Sequence, residues 1–500
     1  MASLDEVFLA LPLEELDAVA LERAQSKGAS AAEIRIEELR EQYLVLRDAS
    51  VEGTSDDVEI GVGVRVVIDG SMGFSGTVEL TKDGVARAVD FAIEAARVTA
   101  KARGRRVELA PEPSYGLVEF VGPFEIDPTS VPLDERVGLF TAWSEQLLLA
   151  PGIDHVTASL HSVNENKHFA NLAGTVANQR RVRIHPVIEA LALDESDFET
   201  MRTTAPPVGR GYEYLLGSTW DFESEIASMP QLLEEKLSAP SVEPGIYDLV
   251  IDPTNLWLTI HESVGHATEL DRALGYEAAY AGTSFATFDQ LGTLRYGSQL
   301  MHVTGDRVTP YGLATVGFDD EGVKAQEFDL VKDGVLVGYQ LDRQIAQEAA
   351  LGRSNGCAFG CSPFMSPIQR MANVSLKPAA GVGPTTQDLI AGVKNGIYIV
   401  GDKSWSIDMQ RYNFQFTGQR FFLIQDGKIV SQLRDVAYQA TTTDFWGSLV
   451  GLGDRSTYLL GGAMNCGKGQ PGQVAPVSHG CPSALFSNIR VLNTKQESGR

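Results

Sequence analysis

The stretch T-I-H-E-S-V-G-H-A-T-E-L-D, residues 259–271, sets two histidines around a glutamate in a chain that has eight histidines in all. It is one residue longer than H-E-x-x-H, in which two histidines four apart on one helix face hold zinc beside a glutamate base. Leu256, Ile260, Val264, Ala267, Leu270 and Leu274 recur at three- and four-residue steps, which predicts an amphipathic helix with one apolar face. His261, Glu262, His266 and Glu269 fall off that stripe, on polar parts of the wheel. In a regular helix five residues turn the chain by about 500°, so His261 and His266 would diverge by roughly 140°. A single π-type turn brings positions i and i+5 onto one face, and such turns cluster at functional sites. Gly265 lies inside the interval and weakens regular helix there. Two histidines sharing one metal therefore require a helix that is widened or broken near Gly265.

Outward from this helix the second half of the chain reads as short strands separated by Gly, Asp and Asn turns. Q-E-F-D-L-V-K-D-G-V-L-V-G-Y-Q-L, residues 326–341, is a hairpin turning at Asp333-Gly334. Q-R-F-F-L-I-Q-D-G-K-I-V-S-Q-L, residues 419–433, repeats that layout around Asp426-Gly427. An Asp-Gly pair between alternating apolar runs is a strong hairpin signal.

The first half differs. A helix is predicted from Leu13 to Lys27, ending at Gly28. Residues 32–49, A-E-I-R-I-E-E-L-R-E-Q-Y-L-V-L-R-D-A, alternate as strand with a turn expected in the middle. Val58 to Thr77 reads as a hairpin whose glycines at 61, 63, 70, 73 and 76 mark turns, bulges or close backbone approach. Helical periodicity runs from Leu80 to Ala102, with Val85, Ala88, Val89, Ala92, Ile93 and Ala96 on one face, and again from Pro132 to Leu148. Alternation returns over residues 155–174 and 180–193, and M-P-Q-L-L-E-E-K-L-S-A, residues 229–239, reads as a helix. The fold class is α+β in two domains: residues 1–240, helices on an antiparallel sheet, and residues 241–500, β-rich and carrying the metal-binding helix. P-S-V-E-P-G, residues 240–245, is the linker between them.

Forty-one basic against sixty-six acidic residues give a net charge of −25. That excess argues against nucleic acid as a partner. No run of eighteen apolar residues occurs, so no membrane span is expected. The N-terminus lacks a basic n-region and a cleavage site, and four cysteines in 500 residues make no disulfide framework. The expected location is the cytoplasm.

H-E-x-x-x-H on a helix, in a chain of this length, resembles the TldD/PmbA family of metalloproteases, also described as modulators of DNA gyrase. The resemblance covers nearly the whole chain. It is carried by G-V-G-V-R-V-V-I-D-G-S-M-G-F-S-G-T at Gly61, G-R-G-Y-E-Y-L at Gly209 and F-D-D-E-G-V-K-A-Q-E-F-D-L-V-K-D-G-V-L-V-G-Y at Phe318. It continues through S-N-G at Ser354, R-M-A-N-V at Arg370 and N-C-G-K-G-Q at Asn465. The resemblance implies zinc held by His261, His266 and a C-terminal cysteine, Cys466, with Glu262 as general base. Because His261, Glu262 and His266 are all present, the chain resembles the catalytic TldD branch. The implied partner is a PmbA-like paralogue in a heterodimer, or a second copy in a homodimer. The implied substrate is an unfolded or leader peptide, hydrolysed by a zinc-activated water. Two segments depart from the family pattern and are expected to line the substrate cleft: C-A-F-G-C-S-P-F-M-S-P-I-Q, residues 357–369, and S-W-S-I-D-M-Q-R-Y-N-F-Q-F, residues 404–416.

On residue chemistry alone Glu269, Asp271, His479 and Cys481 are rival third ligands. Cys357 and Cys361 make half of a C-x-x-x-C zinc site with no second pair to complete it. Glycines flanking Cys466 suggest a tight exposed turn. His302, Tyr339 and Arg370 are the polar candidates for stabilising the substrate carbonyl. Two other readings fit the same motif: a non-catalytic regulatory subunit, which would not need Glu262, and a zinc amidohydrolase acting on a non-peptide substrate.

Overall fold

The computed structural model describes residues 2–102, 106–194, 197–469 and 472–497. Gln470, the last residue of the N-C-G-K-G-Q stretch, lies outside them.

Seven strands of the first half form one sheet: β1 (Ala31–Arg47), β2 (Ser50–Ile68), β3 (Ser71–Thr77), β4 (Leu117–Val121), β5 (His155–Asn171), β6 (Val176–Leu193) and β7 (Phe198–Arg202). Their order is β3-β2-β1-β5-β6-β4, with β7 paired to β6. All neighbours are antiparallel except β4 and β6. The turn expected inside residues 32–49 does not form. β1 runs unbroken for 17 residues, with β5 matched along it from Glu33 to Arg47. The polar run Glu37–Glu41 stays in strand because it is paired on both sides, with β2 and with β5.

Alternation sets the two faces of the sheet apart. Even-numbered Ile34, Ile36, Leu44, Leu46, Ala158, Leu160, Ile184 and Ile188 are buried in apolar clusters. They pack beneath α1 (Leu13–Ser26), α2 (Lys82–Ala102), α3 (Leu133–Leu148) and α4 (Phe222–Ser238). α4 starts seven residues before the expected helix, capped by the Asp221 carboxylate, and continues through Pro230. The odd-numbered face carries Arg35, Glu37, Glu165, Lys167, Gln179, Arg181 and Arg183, all buried. What buries them is the second half of the chain. Asp320 accepts from Arg35 Nη1 at 3.1 Å and Lys167 Nζ at 2.9 Å. Glu321 accepts from Arg65 Nη2 at 2.7 Å. The glycines of β2 are also explained, by close approach. A Cβ at Gly61 would lie 2.4 Å from the Phe364 ring, and one at Gly63 2.4 Å from the Pro363 carbonyl. The departing segment 357–369 thus seats on the first sheet; none of its residues lines the cleft described below.

The second half builds its main sheet from β8 (Gly245–Ile251), β9 (Asn395–Ile407), β10 (Asn413–Gln425), β11 (Lys428–Leu433), β12 (Val436–Thr441), β13 (Leu449–Leu452) and, after a separate hairpin, β16 (Ala484–Asn493). The order β9-β8-β16-β12-β10 closes on itself because β9 also pairs with β10. The separate hairpin is β14 (Leu459–Lys468) with β15 (Gln473–Cys481). Both Asp-Gly turns adopt the left-handed backbone they require, with φ of 50° and 76° at Asp333-Gly334 and 47° and 77° at Asp426-Gly427. No helix among the described residues is long and apolar enough to cross a membrane.

Candidate metal centre

Helix α5 (Pro253–Ile260) begins in the sequence D-P-T-N: the Asp252 carboxylate accepts from Thr254 N at 3.0 Å, and Pro253 occupies the first turn. It then widens. His261–Gly265 is a π-turn, and His266–Thr268 tightens to 3₁₀ before Leu270–Ala273 resumes α-helix. The insertion is thus absorbed where the spacing required. Gly265 has ordinary right-handed φ (−54°), so what it supplies is space: a Cβ there would lie 2.5 Å from Met371 Sδ. The polar side of this helix is not a solvent face. His261, Glu262 and His266 are each 5% exposed, and Glu269 is fully buried.

His261, His266 and Cys466 converge, each offering one ligand atom, with these atoms within 4.8 Å of one another. Cys466 lies on β14 at a register irregularity between Ala463 and Cys466, buried rather than on the exposed turn its glycines suggested. Its Sγ is 3.6 Å from His266 Nε2. Burial would raise the thiol, but the hydrogen bond and charge of His266 together with the Arg370 guanidinium lower its pKa on balance. Burial holds both His261 and His266 towards the neutral form. Neutral imidazole and thiolate are the protonation states a zinc ligand needs.

The surroundings fix the tautomers. His479 Nδ1 donates to the Val374 carbonyl at 2.9 Å, so its Nε2 accepts from His261 Nδ1 at 2.7 Å. His266 Nδ1 donates to Glu269 Oε2 at 2.8 Å. Each of the two imidazoles therefore keeps a lone pair on Nε2, the arrangement that orients histidines towards a metal. Burial would raise Glu269, but Lys468, Arg272 and His266 hold its carboxyl well below the usual range. Lys468 Nζ, fully buried, donates to Glu269 at 3.1 Å, Asp271 at 2.8 Å and Gln369 Oε1 at 2.6 Å.

The rival ligands are accounted for. Glu269 and His479 stand behind the histidines, and Asp271 is held by Lys468. Cys481 approaches the Pro253 carbonyl at 3.7 Å, and burial pushes its thiol well up. Cys357 is buried, with its thiol pushed up to about 12. The three carbonyl candidates are also displaced. His302 binds Asp329 Oδ1 at 2.9 Å, and the Tyr339 hydroxyl donates to the Ala286 and Thr287 carbonyls at 2.9 Å. Arg370 donates to the Cys466 carbonyl and to the Gln473 carbonyl at 2.9 Å, bracing the hairpin that carries the cysteine. None of the three lines the cleft.

That cleft, about 870 Å³, opens on His261, Glu262, His266 and Cys466. Its far wall is the uncovered end of the first sheet's polar face: Glu41, Tyr43, His161 and His185. Trp405 and Arg411, from the departing segment 404–416, also line it. Arg411 Nη1 is 2.5 Å from Glu262 Oε2. Sequence periodicity carried no sign of Arg411 or Lys468, because both come from strand and turn segments some 150 residues or more from the helix.

Residues 244–493 match the PmbA/TldA metallopeptidase C-terminal domain, and residues 32–96 match domain 1 of the same group. A protein of Methanothermobacter thermautotrophicus named metalloprotease is 28% identical over 93% of this chain and 95% of its own length. A zinc metalloprotease TldD homologue of Saccharolobus solfataricus is 21% identical over 84% of this chain and 88% of its own. Among solved structures, a Thermotoga maritima protein described as a modulator of DNA gyrase superposes with a TM-score of 0.75 at 16% identity, covering 96% of this chain and all of the other. TldE of Thermococcus kodakarensis superposes with a TM-score of 0.67 at 16% identity, covering 94% and 98%. With half its length matched by one of these domains and a second match near the N-terminus, the chain belongs to the TldD/PmbA metallopeptidase family.

Proposed function

We propose that this chain is a zinc-dependent peptidase of the TldD-like catalytic branch, acting on unfolded or leader peptides. The observation that carries the reading is the convergence of one nitrogen from each of His261 and His266 and the Cys466 sulfur within 4.8 Å of one another, at the edge of a cleft. His261, His266 and Cys466 would hold the ion, a two-imidazole, one-thiolate set that leaves a fourth position open. Zinc, when bound, supplies a Lewis acid and lowers the pKa of water to about 7. Glu262, next to the ligand His261, takes the proton from that water and passes it to the leaving amine. His479 and Glu269 keep the imidazoles in the ligating tautomer. A cleft of about 870 Å³ suits a stretch of extended chain and shuts out a folded domain. A PmbA-like paralogue, or a second copy, is the proposed partner.

The test is zinc per chain and cleavage of an unstructured peptide for wild type, Cys466→Ser and Glu262→Gln. About one zinc in the wild type, its loss in Cys466→Ser, and retained zinc without cleavage in Glu262→Gln are the expected results. Full cleavage by Glu262→Gln would overturn the mechanism. Zinc without any peptide cleavage by wild type would favour a regulatory subunit or a non-peptide substrate.

A further inference from the structure

Peptide hydrolysis needs a donor for the carbonyl oxygen as negative charge develops there, besides a base for the water. Among the cleft-lining cations, Arg202 is engaged by Asp402, and Lys403 approaches Glu199 at 3.8 Å. Arg411 alone of these three pairs with Glu262, the residue adjacent to a metal ligand.

Arg411 is built into this position. It sits at φ 64°, a left-handed conformation that a non-glycine residue adopts only when its surroundings hold it there. Its turn, residues 408–412 between β9 and β10, is over-determined. The Asp408 carboxylate accepts from the backbone N–H groups of Gln410, Tyr412 and Asn413 at 3.0, 2.9 and 2.9 Å. Thr442 Oγ1 donates to the Arg411 carbonyl at 2.7 Å. The opposite loop clamps the same turn, with Thr283 N and Phe285 N donating to the Met409 and Gln410 carbonyls at 2.8 and 2.9 Å. The guanidinium is meanwhile under-used. Nη1 holds Glu262, Nη2 reaches the Ala281 carbonyl only at 3.4 Å, and the buried Nε has no hydrogen-bond partner. A rigid turn thus presents a five-donor fork with donors to spare beside the base.

We propose that Arg411 is a catalytic residue of this site: it holds Glu262 while the cleft is empty and donates to the scissile carbonyl oxygen when a peptide occupies it. This rests on the peptidase reading above. The water oxygen bonds to the carbonyl carbon, and one proton of the water passes to Glu262. The C=O π pair moves onto the carbonyl oxygen, where the guanidinium faces it. The pair then returns, the C–N bond breaks, and the amine nitrogen departs with the proton from Glu262. Arg411 stays protonated throughout.

The experiment uses the zinc-loaded chain as purified, with any partner that co-purifies. The probe is fluorescein-labelled, reduced and carboxymethylated α-lactalbumin, which cannot refold. Arg411→Met is expected to keep its zinc, to lose about 10²–10³-fold in kcat, and to change KM by less than about 3-fold. In a Glu262→Gln background, Arg411→Met should leave the affinity for the labelled chain, read by fluorescence anisotropy, within about 3-fold. Arg411→Lys keeps the charge without the fork and should lose at least about 10-fold in kcat; it carries the comparison if the Met variant loses zinc. An unchanged kcat in the variants overturns the proposal and leaves the pair structural. A loss of affinity equal to the loss in kcat/KM also overturns it, making Arg411 a substrate anchor. Zinc-loaded wild type that leaves the labelled chain intact overturns the peptidase reading itself, and this role with it.

Discussion

At the scale of single residues, the candidate centre is defined as much by what stands behind His261 and His266 as by the histidines themselves. His479 offered a plausible donor atom from sequence, yet its Nε2 is spent accepting from His261. Replacing it with phenylalanine removes that acceptor, frees the His261 ring to take the other tautomer, and leaves the ligand set intact. Such outer partners are typically worth 10–100-fold in metal affinity. His479→Phe should therefore bind zinc about 10–100-fold more weakly in a chelator competition, with its circular dichroism unchanged. Affinity equal to wild type would show that the hydrogen bond orients nothing. Glu269 plays the same part for His266, with Lys468 and Arg272 keeping its carboxylate ionised in a fully buried place.

At the scale of the element, the π-turn is the device that turns a five-residue interval into a common face. It is held from outside: Trp446 Nε1 donates to Ser263 Oγ at 2.9 Å, and the Gln340 side-chain amide donates to the Gly265 carbonyl at 2.7 Å. Met371 fills the space that a side chain at 265 would need. Gly265→Val forces Met371 aside and adds a β-branched residue to the π-turn. Overpacking of that kind costs about 1–3 kcal/mol, so the denaturant midpoint should fall accordingly, and zinc affinity with it. A variant with wild-type stability would mean that Met371 simply swings away.

At the scale of the molecule, the two halves meet through buried charge as well as through apolar contacts such as Phe169 with Phe318. The odd-numbered face of the first sheet is covered by Asp320, Glu321 and the loop carrying Pro363 and Phe364. Where that cover stops, the same face becomes the wall of the cleft. This interface makes stability pH-dependent. Burial raises Glu37 to about 7, against an ordinary 4.5, even beside Arg35 and Lys167. A carboxyl with a raised folded pKa binds its proton more tightly when folded, so its ionisation costs stability as pH climbs from about 4.5 to about 7, and the penalty stays constant above that. Glu37→Gln lacks the penalty. Its melting temperature relative to wild type should rise between pH 5 and pH 8; a difference independent of pH would rule out Glu37 as the titrating group.

Local spacing was enough for much of this. The alternation of β5 and β6, the face of α2, both Asp-Gly hairpins and the need for a distortion between His261 and His266 follow from periods of 2 and 3.6 and from the geometry of a shared ligand. Those are properties of a few consecutive residues, so the sequence by itself determined them. It misjudged residues 32–49, because the polar run Glu37–Glu41 reads as a turn until its partners β2 and β5 are known. Cys466 was named by family resemblance, whereas its convergence with the histidines, the role of His479 and the pairing of Arg411 with Glu262 were decided by the tertiary structure. Those groups lie roughly 150 to 220 residues apart along the chain. Only closure of the β9–β10 turn and the β14–β15 hairpin over α5 brings their atoms within hydrogen-bonding or ligating distance, and no local period encodes that distance.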